Sequence, residues 1–249
     1  MCTLSSLTGS GRLGVRLRVV MNRDEQRSRA RAQPPVVRTF GGIHGVFPID
    51  PHSGGTWIGA NSAGLVLAVL NASQPPTAAT SGLCRSRGVI VPGLLECERT
   101  EEVADRVGSG TFAGMPPCRL LVVDSCTIRD FRWDGQRLDR HRWNVDRPFM
   151  ATSSSLGDDL VETPRGQLFD SMLARGATFQ AQDAFHRHSW DDRRDISVMM
   201  SRPDARTLSR TVVEVSADSV RMIYQDLETD TIGLRTIAPT AGRRTEVIS

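Results

Sequence analysis

The sequence predicts a layered α+β domain, on three observations. Alternating apolar and polar stretches cluster toward both ends of the chain, helix-like segments occupy its middle, and no composition break or long Gly/Ser linker divides them. A chain of 249 residues buries a substantial core. One domain is expected over residues 1–234, with a flexible tail over 235–249.

The elements follow from local pattern. Residues 3–7 and 14–21 pair as a hairpin about Gly9-Ser10-Gly11, with Val15, Leu17 and Val19 on one face and Arg16 and Arg18 on the other. Glu25 to Gln33 is polar, ends at Pro34-Pro35, and reads as a surface crossing. Gly54-Gly55 admits a tight turn into a strand at 56–60, followed by an Asn61-Ser62 turn and a strand at 65–70. The Pro/Ala/Thr-rich stretch 74–82 reads as a loop, either a lid or a plain connector. Residues 85–98 read as a helix broken near Pro92-Gly93. Thr100-Glu101-Glu102 begins another, its acidic first turn favoured by the helix dipole. Strands are expected at 119–124 and 128–133, then a helix starting at Pro164, running to about Arg175 and stopped by Gly176. Three late strands close the pattern, at 196–200, 211–215 and 220–224. No internal repeat is visible.

Composition excludes several classes of function. All 31 basic residues are arginine against 28 acidic ones, a formal charge of only +3. This pattern resembles a high-GC coding bias, so no nucleic-acid partner is expected. Arg23, Arg27, Arg29 and Arg31 form a local run without interleaved aromatics, which reads as a solvated loop. The absence of lysine removes lysine Schiff-base chemistry and a lysine-containing P-loop. Cys2, Cys84, Cys97, Cys118 and Cys126 are odd in number and irregular in spacing, as for reduced thiols rather than a disulfide framework or zinc motif. Arg12, Arg16 and Arg18 interrupt the apolar positions near the start, so no signal-peptide core, stable membrane insertion or lipid anchor is expected and the location reads as cytoplasmic. His186-x-His188 with Asp191 and Asp192 lacks a third ligand at motif spacing, so no metal is expected. No Cys-x-x-Cys-His motif attaches haem. A homo-oligomer is left open.

Chemistry concentrates near the N-terminus. Removal of Met1 exposes a cysteine that carries its own base, because a thiol with a reference pKa of about 8.5 then shares a residue with an α-amino group of about 7.7–8.0. The tetrad Asn22-Arg23-Asp24-Glu25 closes the second strand of the hairpin and lies at the same end as Cys2.

Met1-Cys2-Thr3, that tetrad, Ser53-Gly54-Gly55-Thr56-Trp57-Ile58-Gly59-Ala60-Asn61 and Gly64-Leu65-Val66-Leu67-Ala68-Val69-Leu70-Asn71 together resemble the NRDE family, the transport and Golgi organisation group. The likeness continues through Arg85-Ser86-Arg87-Gly88, Arg119 to Asp124, Thr152-Ser153-Ser154-Ser155 and Arg202 to Ser209. It implies a four-layer αββα sandwich of two antiparallel sheets, similar to N-terminal nucleophile hydrolases of the choloylglycine hydrolase and penicillin V acylase type. On that resemblance Cys2 is nucleophile and base, Asp24 orients the amino group, Asn71 stabilises the oxyanion and Arg206 favours the thiolate, with Arg194 its rival. Asn22, Arg23, Trp57 and Asn61 are the candidate substrate-binding residues. The chain departs from the acylases in carrying Met21 where they have arginine, and Thr152 to Ser155 where they have a second asparagine. Two functions follow as expectations: amide hydrolysis or acyl transfer on a small nonpeptide substrate without a cofactor, or noncatalytic binding and trafficking of haem or an acylated metabolite. Animal members of the family have been linked to haem trafficking and lipid metabolism.

Overall fold

The computed structural model describes residues 2–9, 14–72 and 85–240. Its strands, in chain order, are β1 (Cys2–Thr8), β2 (Val15–Gln26), β3 (Gln33–Phe40), β4 (Ile43–Ile49), β5 (Ile58–Asn61), β6 (Val66–Asn71), β7 (Cys118–Val123), β8 (Thr127–Trp133), β9 (Leu138–Asn144), β10 (Phe149–Ser153), β11 (Ala205–Ser216), β12 (Val220–Asp226) and β13 (Thr231–Ile237). The helices are α1 (Ile90–Leu94), α2 (Thr100–Arg106), α3 (Ser109–Phe112), α4 (Asp159–Leu173) and α5 (Phe179–Arg187).

Two antiparallel sheets result. One runs β10-β1-β2-β11-β12-β13 and the other is a meander from β3 to β9. Helices α4 and α5 pack on β10, β1 and β2, while α1 and α2 pack on β5 to β8. The architecture is therefore an α+β sandwich layered αββα, as expected. Strand alternation explains the layering: Leu4, Leu17, Val19 and Met21 meet Ile58, Ala60, Val66 and Ala68 between the sheets. The opposite faces bury Leu67, Val69, Leu120 and Val122 against Val91, Leu95 and Phe112 on one side, and Leu7 against Phe169 and Phe185 on the other.

Several elements differ from expectation. The first predicted helix is a single 3₁₀ turn at Arg87–Val89 leading into α1, with Pro92 in the first turn, where its missing N–H has no intrahelical partner to lose. Helix α4 begins at Asp159 and carries Pro164 inside, so its acidic first turn sets the start and the proline is absorbed. Residues 196–200 are no strand. Their backbone groups are paired with side chains and with local turns rather than a ladder, since Ile196 O and Ser197 O accept from Arg165, Val198 O accepts from Asn22, Met200 N–H donates to Thr207, and the Ile196 and Ser197 N–H groups donate to Arg193 O and Arg194 O. Strand β13 continues to Ile237, into the segment expected to be tail. The loop at 74–82 and Cys84 lie outside the described residues.

Candidate active site

Register places the second residue of the chain. Strand β1 is paired on both sides, with Cys2 opposite Arg23 of β2 and opposite Ser153 of β10. Alternation turns Cys2 and Arg23 toward the space between the sheets and Thr3 and Asn22 toward the helices. Cys2 is buried, and its backbone nitrogen donates to Ser153 Oγ at 3.3 Å.

A cavity of about 600 Å³ opens at this end, lined by Cys2, Arg23, Asp24, Trp57 and Asn71, and also by Arg29, Asp50, His52, Pro116 and residues 85–88. The Arg23 guanidinium carbon lies 4.4 Å from the centre of the Trp57 ring, and its Nη2 is 3.3 Å from Asp50 Oδ2. Arg29 reaches the same oxygen at 2.6 Å. Burial acts to raise the Asp50 carboxyl, but hydrogen bonds from Arg29 and the His52 N–H outweigh it and hold the group below its ordinary range. Gly55 lets residues 85–88 close on the cavity: a Cβ there would meet Gly88 O at 2.4 Å, while the Thr56 N–H donates to that same oxygen at 3.0 Å.

Asp24 is held from the neighbouring strand. The β2–β11 ladder slips between Thr207 and Ser209, a bulge that leaves Thr207 opposite Asp24. Thr207 Oγ1 donates to Asp24 Oδ1 at 2.6 Å and accepts the Met200 N–H at 2.9 Å. Its one hydroxyl proton is thus committed to the carboxylate. Burial raises the Asp24 carboxyl, opposed chiefly by the charge of Arg165. Burial also pushes the Cys2 thiol up, and Asp24 and Glu25 add to this. The resting group is the thiol, so a proton must leave it for attack.

Of the residues singled out in the sequence, Cys2, Arg23, Asp24, Trp57 and Asn71 line this one cavity. The other candidates do not. Asn22 Nδ2 donates to His186 O and Val198 O, and its Oδ1 meets His186 Nδ1 at 3.1 Å, so it braces the helical layer. Asn61 donates to Leu95 O and Cys97 O and accepts from the Ala63 and Leu65 N–H groups, so its amide ties the β5–β6 turn to the end of α1. Arg206 pairs with Glu228 and stands opposite Glu25 on β2, outside the cavity lining. Arg194 pairs with Asp191 in a 3₁₀ turn. His186 is a buried member of the Asn22 network, its Nε2 2.7 Å from Ser5 Oγ. Among the described residues, no three His, Cys, Asp or Glu side chains converge as a metal site.

Ser153, Thr207 and Arg165 are the site residues that sequence reasoning missed. The first two lie inside quoted motifs, where a hydroxyl beside a strand end was the available signal. Arg165 gave none, being one arginine among many in a helix.

Two antiparallel sheets between helical layers form an αββα sandwich with the fold of the N-terminal nucleophile hydrolases. Penicillin V acylase from Agrobacterium tumefaciens superposes with a TM-score of 0.64 at 14% identity, over 94% of this chain and 85% of that one. The C2A mutant of conjugated bile acid hydrolase from Clostridium perfringens gives 0.57 at 12% identity, over 96% and 92%. The Caenorhabditis elegans ortholog of N-acylethanolamine-hydrolyzing acid amidase gives 0.56 at 12% identity, over 85% and 92%. At such identities the likeness is one of fold. The family model for Transport and Golgi organisation 2 (TANGO2) matches residues 1–175, and the chain belongs to that family. No curated protein sequence matches it.

Proposed function

We propose that the protein is a cysteine N-terminal nucleophile amidohydrolase or acyltransferase acting on a small amide or acyl substrate. The observation that carries this reading is the meeting, in one cavity, of Cys2, Asp24 and Asn71, with Ser153 at the Cys2 nitrogen.

With Met1 removed, the nitrogen that now donates to Ser153 becomes the α-amino group. In its neutral form it takes the Cys2 proton, and the thiolate attacks the substrate carbonyl carbon, forming a C–S bond and pushing the carbonyl electrons onto oxygen. Asn71, at the end of β6 on the cavity wall, is the candidate donor to that oxyanion, a role worth about 3 kcal/mol when geometry is right. Collapse breaks the C–N bond, and the ammonium returns its proton to the departing amine. Water or a second nucleophile then takes the acyl group from Cys2, which regenerates the thiol and selects hydrolysis or transfer. Asp24, held by Thr207, keeps the amino group in place.

Noncatalytic binding is favoured by one observation, the raised thiol of buried Cys2. Haem suits the cavity poorly. Among its described lining residues Trp57, Val69 and Pro116 are the apolar ones apart from Cys2, whereas a porphyrin needs an apolar slot. Turnover of a panel of N-acyl amides and thioesters, followed with mass spectrometry of the trapped enzyme, tests the proposal. An acyl adduct on Cys2 and loss of at least 10³-fold in rate in Cys2→Ala are expected. Undiminished turnover in folded Cys2→Ala would sink it.

A further inference from the structure

We propose that Arg165 is the positioning residue of this site, fixing β1, which carries Cys2, against β10 and placing a buried cation on the helix side of the sheet, the face that Asp24 shares. The inference rests on the reading of Cys2 and Asp24 given above.

Arg165 projects from the middle of α4 and is only 1% exposed, rare for an arginine. Its hydrogen bonds go to neutral oxygens. Nη1 donates to Thr3 Oγ1 at 2.7 Å and to Thr152 Oγ1 at 2.6 Å, Nε to Ile196 O at 3.0 Å and Nη2 to Ser197 O at 2.7 Å. Thr3 follows Cys2 on β1, and Thr152 stands opposite Thr3 on β10, with its hydroxyl 3.0 Å from that of Thr3 and 3.4 Å from Cys2 O. One guanidinium therefore ties α4, β1, β10 and residues 196–197 together within two hydrogen bonds of the nucleophile's backbone.

Arg165 reaches the helix side of β1, and alternation puts Asp24 on that same side of β2 with Asn22, so a buried cation and a buried carboxyl share one face of the sheet. Burial raises that carboxyl, and Arg165 opposes it ahead of the chain's amino terminus, the Thr207 hydrogen bond and Arg202. Cys2 on β1 also interacts with Asp24, and Arg23 and Glu25 flank it on β2. Conversely, burial lowers Arg165, and Asp24 and Cys2 are the groups that favour its charge. A carboxyl that must stay ionised to hold an amino group needs such a fixed cation in a desolvated setting. Arg206, which the resemblance had aimed at the Cys2 thiolate, pairs with Glu228 instead.

The test follows the carbon-13 shift of the Asp24 carboxyl against pH in the full chain labelled at aspartate, with Asp24→Asn assigning the signal. Arg165→Gln retains an amide donor for Thr3 and Thr152 but no charge, and is expected to raise the Asp24 midpoint by about one pH unit or more. Arg165→Lys retains the charge and is expected to stay within roughly 0.3 pH units of the parent while melting at a lower temperature. A folded Arg165→Gln protein with an unchanged midpoint overturns the proposal. If Arg165→Gln does not fold, Arg165→Lys decides: a midpoint raised by about one unit overturns the charge role, and an unchanged one supports it. This readout requires no turnover, so persistence of activity in Cys2→Ala would remove the nucleophile reading without altering the Asp24 result.

Discussion

Asp24 is a carboxyl whose enclosure favours its neutral form, although its proposed work needs the anion. Its folded-state pKa is raised by burial, with Arg165 opposing. For a raised pKa, the stabilising contribution is fully present below the unfolded value near 3.8 and is lost as pH rises through the folded pKa. At neutral pH the charge is therefore a net cost to the fold. Asp24→Asn keeps an oxygen for Thr207 and removes the charge, so thermal melts at pH 7 are expected to show a gain of roughly 2–4 °C for about 1 kcal/mol in a chain of this size. The same variant is expected to lose turnover. A lower melting temperature would mean that the Thr207 bond outweighs desolvation. The resemblance pointed to Cys2, Asp24 and Asn71, and these three do line one cavity. Arg206 was misread, because one residue of β11 cannot be aimed from sequence when a bulge at Leu208 shifts the register beside it.

The β5–β6 hairpin shows how an element can carry a motif residue for structural reasons. Asn61 satisfies two carbonyls beyond α1 and two amides of its own turn, all from a fully buried position. Asn61→Ala strands these groups and is expected to destabilise the protein by about 3 kcal/mol or more in urea titration, leaving the Asp24 midpoint unchanged. A loss below roughly 1 kcal/mol would contradict this. At this scale the second strand of the central hairpin was readable from alternation, and β5 to β8, β11 and β12 from apolar runs between turn residues. Strands β3, β9 and β13 are sheet edges and expose most of their residues, and the sequences of β3 and β9 alternate too weakly to mark them. Residues 196–200 looked like a strand because Ile196, Val198 and Met200 alternate. Side chains from β2, α4 and β11 take its carbonyls and the Met200 N–H, and no local pattern reports such partners.

On the scale of the whole molecule, the cavity gathers residues from β1, β2, the segment before β5, the end of β6 and residues 85–88, and α4 and β11 brace it from behind. Layering was legible from the distribution of strands and helices, and the resemblance added the number of layers. The partnership of Arg165 with strands about 160 and 13 residues away in sequence was not, since it exists only once the α4 layer is docked. In the mechanism proposed above, the proton acceptor is the nitrogen of Cys2. As an amide it cannot accept the thiol proton; as a free amine it can. Intact-mass analysis of the purified full-length protein reads that difference directly. Quantitative loss of Met1 is expected of an N-terminal nucleophile, and retention of Met1 on protein that turns over an amide would contradict it.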